Sequence, residues 1–108
     1  MLKTYALALP EAWEDHPWEE DAVAKVGKKI FAFFGGADST GMSVKLPASS
    51  SDALMLTCCK PTGYGLGRAG WVTVDLTSPA CPPYEILEEW LLESYRAVAP
   101  KTLLAQLD

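Results

Sequence analysis

Hydrophobic and polar positions change their period several times along the chain, and each change marks an element. Leu2, Ala6 and Leu9 recur at helical spacing and predict a short helix, about Leu2 to Leu9, stopped by Pro10, because proline disfavours helical geometry in the residue before it. The stretch AWEDHPWEE then sets Trp13, Asp15 and Pro17 in alternation with Glu14, His16 and Trp18. Proline and charge in such a run predict an irregular edge strand, guarded against further pairing. Two β-rich runs flank Gly27-Lys28, and glycine at the first central position predicts a two-residue II′ hairpin. In the second run Phe31 and Phe33 are expected to face one way, with Ile30, Ala32 and Phe34 facing the other. A strand apolar on both sides belongs in the middle of a sheet.

After the loop-like GGADSTG, the run GMSVKL alternates Met42, Val44 and Leu46 against Ser43 and Lys45, and Pro47 closes it. Ser49 or Ser50 is positioned to cap a helix through Ala53, Leu54, Leu56 and Thr57, with Asp52 in the first turn, where a negative charge is favoured. WVTVDL sets Val72, Val74 and Leu76 against Trp71, Thr73 and Asp75 as the last strand. Pro82 and Pro83 suit a helix start. The helix from about Tyr84 to Ala99 carries Ile86, Leu87, Trp90, Leu91, Tyr95 and Val98 on one stripe, opposite Glu85, Glu89, Glu93 and Arg96. Pro100 breaks or kinks it, and KTLLAQLD is expected to add a last turn. Consecutive strands joined by short turns imply an α+β domain spanning residues 1–108. Its expected form is an antiparallel sheet of about five strands with helices packed on one face.

Composition narrows the function classes. At 108 residues, 49% of them hydrophobic, the chain supports one packed core. Its longest apolar run, Ile30 to Phe34, falls far short of the ~20 residues that span a bilayer. The N-terminus lacks an apolar block and a small-residue cleavage site, so a cytoplasmic location without a membrane partner is expected. Cys58, Cys59 and Cys81 make an odd count without metal-site spacing. Vicinal Cys58-Cys59 admits a strained disulfide on paper, but reduced interior positions are expected. With His16 the lone histidine, no zinc site or thiol nucleophile motif emerges.

The net charge of −5 is unevenly spread. Acids crowd residues 11–21 and 85–93, while Lys25, Lys28, Lys29, Lys45, Lys60 and Arg68 occupy the middle of the chain. The run Gly65-Leu66-Gly67-Arg68-Ala69-Gly70 fits G-x-G-x-x-G. A dinucleotide fingerprint, however, needs a strand before its glycines and a helix directly after them. Here the glycines deliver the chain into a strand, which predicts a tight loop and no bound cofactor. Arg68, with Lys60 and Tyr64 nearby, is then a candidate contact for a phosphate or another anion. Lys28 and Lys29 at the hairpin tip are further candidates, against an ordinary solvated turn. Trp71 reads as a sheet-face packing residue more than as a stacking platform. The acids Glu14, Asp15, Glu19, Glu20 and Asp21 around His16 match no calcium-loop spacing, so no metal is assigned to them.

Taken together, LALPEAWEDHPWEEDAVAKVGKKIFAFFGG, MSVKL, GYGLGRAGWVTVDL and LLESYRAVAPK resemble the MmcQ/YjbR family of small bacterial proteins. The most specific parts are Leu9-Pro10, Val26-Gly27-Lys28-Lys29, the Gly67-Arg68-x-x-Trp71 entry to the last strand, and Glu93-Ser94-Tyr95. The resemblance implies a "double-wing" α+β domain akin in topology to the frataxin/CyaY fold, in a family commonly labelled as DNA-binding. It carries Lys28, Lys29, Arg68 and Trp71 over as surface-contact positions, and Lys60 joins them as a basic residue near Arg68. The expectation is a non-enzymatic, monomeric domain that touches DNA weakly through these residues. The alternatives are a protein-interaction module with an acidic, aromatic surface, or an acidic cation-binding domain.

Overall fold

In a computed structural model, which describes residues 2–18, 21–35, 41–62, 70–79 and 81–105, the predicted order of elements holds with one addition. Helix α1 (Leu2–Leu7) leads into a meander of β1 (Ala12–Trp18), β2 (Asp21–Val26), β3 (Lys29–Gly35) and β4 (Gly41–Lys45). Next come α2 (Ser50–Leu54), β5 (Cys59–Pro61), β6 (Trp71–Asp75), α3 (Tyr84–Val98) and a short α4 (Lys101–Leu104). The six strands form one antiparallel sheet in the order β1-β2-β3-β4-β6-β5. β5 is the strand the sequence pattern does not announce. The helix expected to run on through Thr57 stops at Leu54, and the chain turns back to pair Cys59–Pro61 with β6.

The edge strand and the hairpin form for the expected reasons. β1 is an edge strand whose register shifts between Asp15 and Trp18. Gly27 has φ +62, and among the described non-glycine residues only Glu11 has a positive φ. A positive φ at the first central position alone is the II′ pattern. The Trp13 indole N–H donates to the Gly27 carbonyl at 3.0 Å and ties the edge strand to the hairpin tip.

Strand alternation divides the sheet into two faces. Met42, Val44, Val72 and Val74 are buried among Leu2 and Ala6 of α1, Ala53 of α2, Leu87, Trp90, Leu91 and Tyr95 of α3, and Leu103 of α4. All four helices therefore contribute to one core on one face. The residues in between, which pair in the rows Phe33–Ser43–Thr73 and Lys45–Trp71, face the other way. Among the described residues no helix covers that second face.

Phe31 breaks the alternation. Ala24 pairs with Ala32 and Lys25 with Ile30, so Phe31 is an extra residue without an opposite number in β2. Such a bulge re-aims a side chain. Phe31 therefore turns to the core, fully buried and edge-on to Tyr95 with ring centroids 5.3 Å apart. Phe33 lies on the opposite face, edge-on to Trp71 at 5.3 Å. The two phenylalanines do not share a side, contrary to strict alternation. The helix stripe also needs one exchange, since Ile86 is 37% exposed whereas Ser94 is fully buried.

Glu93, Ser94 and Tyr95 fasten α3 to β3, β4, the start of α2 and the joint before β1. Glu93 does not lie in solvent opposite the stripe. Its carboxylate accepts the Ala48 and Ser49 backbone N–H groups, each at 3.0 Å, and the Ser49 hydroxyl at 2.6 Å. Ser49 is thus the N-cap of α2 by position only, its hydroxyl being turned to Glu93 instead of the helix backbone. The Ser94 hydroxyl accepts the Lys45 N–H at 2.8 Å and donates to the Phe31 carbonyl. The register Ala32↔Val44 makes Phe31 and Lys45 the next facing pair, so the hydroxyl stands between two backbone groups of neighbouring strands. Tyr95 donates its phenol proton to the Pro10 carbonyl at 2.6 Å, at the joint of α1 and β1.

Candidate nucleic-acid interface

The helix-free face is built by period-two alternation in β4, β6 and β5. In β4 the half-buried Ser43 and Lys45 alternate with buried Met42 and Val44. Ser43 faces Thr73 and Lys45 faces Trp71 across the β4–β6 pair. On the other side of β6, Lys60 faces Thr73, and the Thr62 N–H bonds the Trp71 carbonyl at 3.1 Å. Three hydroxyls run across this surface, with Ser43 Oγ 2.8 Å from Thr73 Oγ1, which lies 3.0 Å from Thr62 Oγ1. Lys45 and Lys60 flank the hydroxyl row, and Lys60 is exposed. Hydroxyls and lysines are among the side chains that most often meet phosphate oxygens.

Charge on this face is partly spoken for. Lys25 bonds the Asp15 carboxylate at 2.8 Å and lies 5.2 Å from the centre of the Trp13 ring. The Asp75 carboxylate accepts the Thr77 hydroxyl at 2.6 Å and the Thr77 N–H at 2.9 Å. Those two bonds, with a further contribution from the Lys60 charge, hold its carboxyl below the usual carboxylate range.

The candidate contacts from the sequence separate into groups. Lys28 and Lys29 are exposed at the β2–β3 tip. Lys60 lies on the far edge, three strand spacings from β3, or roughly 14 Å across the sheet and a further ~13 Å along it. Lys45, which a turn-based reading passes over, lies between them at the end of β4. Trp71 is 8% exposed and pressed against Phe33, so its ring packs the sheet face. Arg68, with Tyr64 and Gly63, Gly65 and Gly67, lies outside the described residues. Gly70 is described, has φ +91, and leads directly into β6. A β-carbon there would sit 3.4 Å from the Leu46 carbonyl oxygen. Gly70 thus feeds a strand, where a dinucleotide fingerprint requires a helix.

The other chemistries raised by the sequence find these settings. Among the described residues no group of three or more His, Cys, Asp or Glu side chains is set to hold a metal ion. Of the acidic stretch, Glu14 and Asp15 lie in β1, while residues 19 and 20 and the side chains of His16 and Asp21 are outside the described set. The three cysteines are reduced, with Cys58 buried and Cys59 and Cys81 half-buried. Burial, and after it the neighbouring Cys58, pushes the Cys59 thiol up to about 12 and raises that of Cys81. Such thiols keep their protons at neutral pH and are poor nucleophiles.

These thiols make stability depend on pH. A thiol that holds its proton more tightly when folded gives its full stabilisation below the unfolded value of 9.0, and loses it as pH climbs toward about 12. Urea unfolding at pH 10.5 is therefore expected to show lower stability than at pH 7.5, with a smaller loss in Cys59→Ser. An equal loss in that variant would assign the alkaline limb to other groups, such as Tyr5 and Tyr95, whose phenols burial also raises.

No helix of the described residues is long and apolar enough to cross a membrane. Among curated proteins, none matches the chain. The YjbR family model matches residues 7–97, from the end of α1 almost to the end of α3. That span holds every strand of the sheet and the Glu93-Ser94-Tyr95 fastening, and on it the chain belongs to the YjbR family.

Proposed function

We propose that this YjbR-family chain is a non-enzymatic binding domain that contacts nucleic acid weakly through the helix-free face of its sheet. The observation that carries the reading is the uneven division of charge between the two faces, the acids of the helix-free face, Asp15 and Asp75, being engaged by Lys25 and Thr77. Lys45 and Lys60 flank the hydroxyl row, and Lys28 and Lys29 project from one end of the same sheet. The helix layer carries Glu85, Glu88 and Glu89 on α3 and Asp52 on α2, with Lys3, Arg96 and Lys101 as basic residues of its helices. A net charge of −5 then repels nucleic acid from one side and leaves the other competent. Trp71 and Phe33 keep that face in shape, while lysine and hydroxyl groups make the contact.

The test is a salt titration of fluorescent duplex and single-stranded oligonucleotides, with Lys45→Glu and Lys60→Glu as variants. Binding is expected to weaken steeply with salt and to fall roughly tenfold in each variant, since each reversal removes a phosphate contact and adds a repulsion. An affinity no better than ~10⁻⁴ M at low salt, or indifference to both reversals, would reject the reading.

One observation favours a second reading as a protein-interaction module. Tyr84 is 58% exposed and Ile86 is 37% exposed beside Glu85, at the start of α3. A partner that survives nuclease treatment and is lost on Ile86→Lys would favour it.

A further inference from the structure

Adjacent side chains in an extended strand point to opposite faces, so neighbouring cysteines within a strand keep their sulfurs apart. Cys58 escapes this rule. It lies in the turn that leads into β5, while Cys59 is the first residue of that strand. The Asp75 N–H holds the Cys58 carbonyl at 2.8 Å, and Cys59 pairs with Val74, so both residues are fixed to β6. Their sulfurs consequently face each other at 3.6 Å.

Both cysteines line a cleft of about 350 Å³ at this sheet edge, together with Gly41, Thr57, Lys60 and Thr73. A small molecule therefore has a route to the pair. The separation of the sulfurs also rules out a linear centre. A centre bonded to both at ~2.3 Å, the length of a thiolate–zinc bond, subtends an angle of roughly 100° at that centre. A linear bis-thiolate ion would need sulfurs about 4.6 Å apart by the same bond length. The three-coordinate pyramid of arsenic(III) has bond angles of the smaller kind.

We propose that Cys58 and Cys59 form a preorganised dithiol site for a trivalent arsenical. The reaction is a condensation without redox change. Two arsenic–oxygen bonds break and two arsenic–sulfur bonds form, and the two thiol protons leave with the oxygens as water. The raised Cys59 thiol suits that chemistry over peroxide reduction. Peroxide reduction needs a standing thiolate, whereas here the departing oxygens take the protons away. Cys81, whose thiol lies beside Cys58, is not needed for the chelate.

The test uses the whole chain and phenylarsine oxide, read by intact mass and by the count of remaining titratable thiols. The wild-type protein is expected to take up one equivalent with loss of two thiols, and to release it to a dithiol but not to a monothiol. Cys59→Ser, at a half-buried position and checked for an unchanged fold by circular dichroism, is expected to bind roughly a hundredfold more weakly, the chelate advantage of a second linked contact. Cys81→Ser is expected to bind as the wild type does. Equal affinity in the wild type and Cys59→Ser, absence of an adduct in the wild type, or dependence on Cys81 in place of Cys59 would each overturn the proposal.

Discussion

Replacing Ser94 by alanine is expected to lower the unfolding free energy by about 3 kcal/mol, because two backbone groups at a buried position lose their partner together and each costs ~1–3 kcal/mol when left unsatisfied. The hydroxyl accepts from the Lys45 N–H and donates to the Phe31 carbonyl, at a side chain with no exposed surface. The volume removed is one oxygen atom, so the change tests hydrogen bonding and not packing. Urea unfolding followed by tryptophan fluorescence measures it. The midpoint should fall while the slope stays constant, which marks a loss of stability without a change in the denatured ensemble. A cost below about 1 kcal/mol would mean that the strands close on each other directly and recover the bond. The bridging role would then be wrong.

The second large effect is an asymmetry between neighbouring phenylalanines. Phe31→Ala is expected to cost about 4 kcal/mol, within the range for emptying a fully buried aromatic site. Phe33→Ala should cost about half as much, since Phe33 is half-buried on the helix-free face and its removal opens a surface hollow instead of an internal cavity. Strict alternation would give both residues the same environment and nearly the same cost. Matching losses in the two variants would therefore contradict the bulge between Ala24 and Lys25. The same bulge brings the Phe31 carbonyl to Ser94 and its ring to Tyr95. A double replacement of Phe31 and Ser94 should for that reason be non-additive, as groups in contact are.

How much of this is legible in the sequence depends on the physics of each element. The runs GMSVKL and WVTVDL show their two faces plainly, because every second residue is apolar and one face is buried. The hairpin at Gly27-Lys28 and the edge character of AWEDHPW are equally readable, since glycine and proline act through local backbone chemistry. β5 is not readable. Cys59–Pro61 has three residues, shows no period and ends in proline, and it is a strand only because β6 is there to pair with it. The bulge at Phe31 is hidden because a period-two reading has no place for an extra residue. Ser94 and Glu93 look like surface polar residues on a helix, yet they are the groups that satisfy the backbone of other segments.

The site is only half legible. Lys28, Lys29 and Lys60 stand out for lying on or near turns, a criterion that ignores sheet position. Lys45 is available from the alternation itself, two residues after Ser43 and next to Val44, and it is the lysine that lies between the hairpin tip and the far edge. The thiol pair is visible as adjacent letters. That its sulfurs face each other depends on the turn before β5.

The helices are fastened to one side of the sheet, and amide mapping tests most directly the proposal that nucleic acid meets the other side. Isotope-labelled protein titrated with a short oligonucleotide at low salt should shift the backbone signals of Lys45, Lys60, Thr62 and Thr73, and those of Lys28 and Lys29 at the hairpin tip. The signals of Glu85 to Glu89 on α3 should stay where they are. Shifts gathered on α3 and α2 with the β4–β6–β5 surface silent would contradict it.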